Sequence, residues 1–143
     1  MNALLISAAL SWCMAQSAKV VCGLVRYGTR DRSRMFWRII WAGGMPSAHS
    51  AVVSSSTMVI YCTAGGQSLL FGLAMLFSFI VIYDRSRLYA IYRQFQLKYP
   101  WLNNEVRNDP ILKDLVGHRI SEILAGVVIG LGAGFVAVHF CIA

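Results

Sequence analysis

The chain has 143 residues, 57% of them hydrophobic and only 13% charged, with a formal net charge of +7 at pH 7. Apolar residues gathered in long blocks exclude an ordinary water-soluble domain, because a helix of roughly 20 mostly apolar residues is what a bilayer span requires. The cations concentrate in two loops, which argues against a nucleic-acid partner and for anionic lipid headgroups.

Four blocks qualify or nearly qualify as spans: Leu4–Val25, His49–Ala64, Ser68–Tyr83 and Ile120–Ile142. The second and third are short and must borrow residues from their flanks or tilt little. The predicted fold is all-α. It is an integral membrane helical bundle with about four transmembrane helices plus an amphipathic interfacial helix, in a single domain covering residues 1–143.

The first block has no basic segment before it and carries Gln16 and Lys19, so it reads as a retained helix rather than a signal peptide. Lys19 lies about 9 Å from the end of that helix at the usual rise per residue. Arg26, Arg30, Arg32, Arg34 and Arg38 crowd the loop that follows, offset by Asp31.

Gly43 to Ala51 (Gly-Gly-Met-Pro-Ser-Ala-His-Ser-Ala) is the most informative stretch. Small residues let backbone approach a ligand closely. Pro46 suits the first position of a helix, so the second helix is expected to begin near Pro46–Ser47. The N–H groups of such a start form an anion site, to which Ser47 adds a hydroxyl. His49 is the side chain suited to exchanging a proton near neutral pH.

Gly65-Gly66-Gln67 then connects two blocks without a charge, whereas the loop after the third block carries Arg85, Arg87, Arg93, Lys98, Arg107 and Lys113. The positive-inside rule puts both basic loops in the cytoplasm and both termini outside. Leu88, Ile91, Tyr92 and Phe95 recur at helical spacing, predicting an amphipathic helix that lies at the interface or extends the third helix. Tyr99 and Trp101 add aromatic anchors. Asp109-Pro110 reads as an N-cap followed by a first helical residue, opening a short helix that bends near Gly117.

The last block has Gly126, Gly130 and Gly134 at four-residue spacing, a stripe for close helix packing inside the monomer or in a homodimer. Cys13, Cys22, Cys62 and Cys141 have no metal-site or redox spacing and read as small buried hydrophobes, neither disulfide-bonded nor metal-bound.

Taken singly, Lys19 can snorkel, Arg85 and Arg87 can obey the topology rule, and Asp84 and Glu122 can be their ion-pair partners. Taken together, Lys19, His49, Asp84, Arg85, Arg87, His118 and Glu122 arrive from four helices at one side of the membrane. Intramembrane ionisable residues are functional candidates by default, and independent structural causes would not all choose one side. His118 and Glu122 are four apart, on one helical face, so the carboxylate can fix the imidazole tautomer and leave the other nitrogen as nucleophile. Phosphoryl transfer needs cations around the phosphoryl oxygens, an in-line nucleophile and an acid for the leaving group. These residues offer all three with no metal and no cofactor, and no carboxylate cluster or His-Glu-x-x-His sequence suggests a metal phosphatase.

In order along the chain, Ala15-Gln16 with Lys19, Gly43–Ala51, Tyr83-Asp84 and Gly117–Glu122 resemble the divergent branch of the type 2 phosphatidic acid phosphatase superfamily, to which the vanadium-dependent haloperoxidases are related. The resemblance implies a helical membrane phosphatase working through a phosphohistidine. By position, His118 would be the nucleophile, Glu122 its orienting acid and His49 the acid for the leaving alkoxide. Ser47, the Ala48 and His49 amides, Lys19, and Arg85 or Arg87 would hold phosphate, with Gln16 and Asp84 supporting.

The chain departs from the pattern at several places. Ala48 stands where the branch usually has Ser, Ile111 and Leu112 replace the parent's Ser-Arg pair, and Arg85-Ser86-Arg87 replaces the usual run after Asp84. The expected function is a multi-pass membrane lipid phosphatase acting on a lipid phosphate monoester or pyrophosphate at the cytoplasmic face. The alternatives are a non-hydrolytic lipid-phosphate binding or transport protein, and a small structural membrane subunit.

Overall fold

The computed structural model describes residues 2–27, 44–108 and 116–142. The first basic loop beyond Tyr27, the Asp109-Pro110 cap and the Ile111-Leu112 departure lie outside them. All regular structure among the described residues is helical: α1 (Ala3–Tyr27), α2 (Ala48–Ala64), α3 (Leu69–Lys98), α4 (Leu102–Asn108) and α5 (Ile120–Ile142).

Three helices, α1, α3 and α5, are long and apolar enough to cross a membrane. The fourth expected span, α2, has 17 residues and is rich in hydroxyls. It packs against α5 most extensively, then α1, then α3, so it is the hub of the bundle. A helix enclosed by other helices needs small, interlocking side chains rather than a lipid-facing apolar surface.

Small residues set how closely the helices approach. Along α1, Ala3, Ser7, Ser11 and Ala15 form a buried stripe at four-residue spacing, and Ser11 shares a 3.0 Å hydroxyl hydrogen bond with Ser55 of α2. The glycine stripe of α5 faces α2 within the same chain. A Cβ at Gly126 or Gly130 would fall on the carbonyl oxygens of Ser47 or Ala51, and one at Gly134 would lie 2.6 Å from that of Ser55. Between the two uses open to this stripe, packing inside the monomer is therefore the one seen here.

The structure settles two open points and corrects one expectation. The second helix opens near Pro46–Ser47, with Ser47 its N-cap and Ala48 its first residue, because Ser47 Oγ accepts from the Ser50 amide at 3.3 Å. Of the two alternatives for the amphipathic segment, it extends the third helix: it is the second half of α3, whose 30 residues span ~45 Å, with no Pro inside it and its one glycine, Gly72, near its start. The four cysteines are free, as expected, but exposed on the outer faces of the helices rather than buried. Lipid is as apolar as a protein core, so hydrophobic character alone does not distinguish the two locations.

Candidate active site

The site forms where the starts of α2 and α5 meet the middle of α3. Two backbone hydrogen bonds join the three helices there: the Ser47 amide donates to the Glu122 carbonyl at 2.9 Å, and the His118 amide donates to the Arg85 carbonyl at 3.1 Å. Gly117 makes the second bond possible. Its φ of +81° favours glycine, and a Cβ would strike the Arg85 carbonyl and crowd Leu88 and Tyr89.

His118 is 2% exposed. Its Nδ1 lies 3.0 Å from Glu122 Oε2, and the same oxygen accepts the Arg119 amide at 3.3 Å. A carboxylate only accepts, so Nδ1 carries a proton, and in the neutral ring Nε2 is the nitrogen with the lone pair. The pair is held by one turn of backbone, which fixes ring orientation without relying on a distant partner.

His49, the second residue of α2, has its ring centre 6.4 Å from that of His118. It is exposed where His118 is buried. Arg85 Nη2 lies 3.2 Å from His49 Nε2, and because guanidinium can only donate, Nε2 accepts in this contact. His118, His49, Glu122 and Arg85 therefore converge.

Arg87 does not join them. It sits about 200° around the helix from Arg85, and its Nη1 donates along its own helix to the Tyr83 hydroxyl at 3.1 Å. Asp84 is exposed on α3. Ser47 is fully buried, and its Oγ accepts from both the amide and the hydroxyl of Ser50, the latter at 3.1 Å. Ala48 is buried at the first turn of α2, next to His49. Gln16 and Lys19 are buried on α1, which packs on α2 and α5.

Two residues at the rim had no role in the sequence reading. Arg119 Nε donates to the Tyr89 hydroxyl at 2.9 Å, and its guanidinium carbon lies 5.7 Å from the centre of that ring. Tyr89 is one turn beyond Arg85 on the same face of α3, a spacing that could have drawn attention to it.

The arrangement offers a buried imidazole with a free Nε2, a second imidazole facing it, a guanidinium between α2 and α3, and a helix N-terminus. Such a set can hold an anion between two histidines. Residues 1–133 match the sequence model of the Divergent PAP2 family, and the chain belongs to that family. No curated protein and no solved structure matches it.

Proposed function

We propose that this member of the Divergent PAP2 family is a lipid phosphate phosphatase, hydrolysing a phosphate monoester or pyrophosphate of a membrane lipid at the cytoplasmic face. The observation that carries the reading is the facing pair of histidines, one tied to Glu122 and the other to Arg85. Family membership supports phosphatase ancestry; the residue roles rest on chemistry.

His118 Nε2 attacks phosphorus, and the bond from phosphorus to the leaving oxygen breaks. His49 gives a proton to that oxygen, and the product is a lipid alcohol (or lipid phosphate, from a pyrophosphate) with phosphate carried on His118. Water then attacks phosphorus, His49 takes its proton, and the phosphorus–nitrogen bond breaks to release phosphate.

In-line displacement needs nucleophile and acid on opposite sides of phosphorus. A near-attack separation of ~3–3.5 Å, the bond to the leaving oxygen and a short hydrogen bond beyond it add up to more than the 6.4 Å between the ring centres, so in this scheme the rings part to admit the phosphoryl group. Arg85 is the phosphate clamp in this scheme. Its fork matches phosphate oxygens better than one imidazole nitrogen, so substrate would draw it off His49 and free Nε2 to carry a proton. Lys19, Ser47 and the Ala48 and His49 amides complete the cradle, with Gln16 and Asp84 as support. Glu122 holds the His118 tautomer and stabilises the imidazolium character that develops.

The test is phosphate release by purified protein in detergent with EDTA, offered phosphatidic acid, phosphatidylglycerophosphate and isoprenyl pyrophosphate. Release that disappears in His118→Ala supports the reading. Tight lipid-phosphate binding without release would support the binding or transport protein instead.

A further inference from the structure

A groove of about 310 Å³ opens beside the site, lined by Trp12 of α1, His49, Val52 and Val53 of α2, and Phe77 and Val81 of α3. Every one of these except His49 is apolar or aromatic, and Phe77 and Trp12 leave it open on the outer surface of two membrane-crossing helices. The volume is at the small end of the range for ligand pockets.

His49 belongs both to this groove and to the histidine pair. The other groove residues lie on the apolar side of the polar ones. Val53 is one turn past His49, Phe77 is ~12 Å along α3 from Arg85, and Trp12 is ~10 Å along α1 from Lys19. The groove thus runs from the polar end of the bundle into its apolar part.

We infer that this groove receives a single hydrocarbon chain of the lipid phosphate substrate, with its oxygen at His49 and its carbons between α1, α2 and α3. The inference rests on the proposed reaction in one respect: His49 protonates the oxygen that carries the lipid's organic part. In-line geometry sends that part away from His118, on the His49 side, where the groove begins. A bridging oxygen at His49 followed by an apolar lining matches a phosphorylated long-chain alcohol or single-chain glycerolipid.

The test uses the full chain in detergent with Trp37, Trp41 and Trp101 changed to Phe, so that Trp12 alone reports, and with His118→Ala to prevent turnover. The probe is lysophosphatidic acid with a brominated 18-carbon chain, since bromine quenches a nearby indole. The inference expects saturable quenching, reversed by unbrominated lysophosphatidic acid and at least tenfold less well by lysophosphatidylcholine of equal length. Val81→Phe and, separately, Val52→Phe should weaken competition by the 18-carbon lipid at least tenfold and leave competition by a six-carbon alkyl phosphate within about twofold.

Quenching that rises linearly with brominated lipid and ignores the headgroup would overturn the inference, because Trp12 would then only face bulk detergent. So would saturable quenching that both filling variants leave unchanged. Competition measured in the original tryptophan background keeps the test decisive if the three-Phe protein does not fold. Saturable, headgroup-dependent quenching without phosphate release from the unmodified protein would leave the groove standing and sink the hydrolytic reading; release without such quenching would do the reverse.

Discussion

The helices α5 and α3 both deliver residues to the histidine pair, but they are held by opposite means. The glycines of α5 press against carbonyl oxygens of α2 over two turns, so Glu122 stands on, and His118 two residues before, a helix with little room to shift. In contrast, α3 leans chiefly on α2 and touches α5 only marginally, and Ser78 is its buried residue. Ser78 and Thr57 share a 2.8 Å hydroxyl hydrogen bond, and the His118 amide pins the Arg85 carbonyl. The proposed nucleophile and its orienting carboxylate thus sit at the start of the tightly packed element and the proposed clamp on the loosely packed one. Preorganised groups accelerate chemistry most when they cannot relax, whereas a clamp that exchanges His49 for phosphate, as proposed, profits from give.

The largest effect expected is at the rigid pair. His118→Ala should lower kcat by on the order of 10⁴-fold or more while helical content by circular dichroism stays the same; a variant that still turns over would break the comparison at its centre. Glu122→Gln keeps the shape but permits the wrong tautomer, and should cost roughly 10²–10⁴-fold, mostly in kcat, in single-turnover assays.

On the compliant side, Arg85→Lys keeps the charge but loses the fork, with an expected loss near 10²-fold in kcat/KM. Arg87→Lys, on the other face of α3, should stay within about threefold. Equal losses would mean that α3 rotates in use.

The packing contrast is tested by Gly130→Ala, expected to destabilise by ~1–3 kcal/mol in denaturant titration. Gly132→Ala, on the same helix with nothing within 4 Å of a Cβ, is the matched control and should not destabilise. Smallest of all, Thr57→Val should cost ~0.6 kcal/mol, the usual worth of one interhelical hydrogen bond in a membrane protein.

Much of this was legible in the chain. The His118–Glu122 pair follows from four-residue spacing alone, because backbone geometry within one turn brings those side chains together. The turn around His49 was legible as a helix start, but its register was not, since Pro46 and Ser47 are both credible openers and only the Ser47–Ser50 hydrogen bond decides between them. The continuity of α3 past Tyr83 was left open by the sequence, because an amphipathic pattern is the same for a helix lying on a surface and one extending a span. Likewise, apolar cysteines give no sign of whether protein or lipid covers them.

The sequence by itself determined which end of the bundle is polar. Each charged residue is assigned to one end of the bundle by its distance from the end of an apolar block, even though block lengths alone suggested four spans where three helices are long and apolar enough to cross. Only the tertiary structure decided which of those residues meet. Each residue turns a helix by about 100°, and the rotation of each helix is set by small-residue packing against α2, so Arg85 faces the histidines while Arg87, two residues on, turns away.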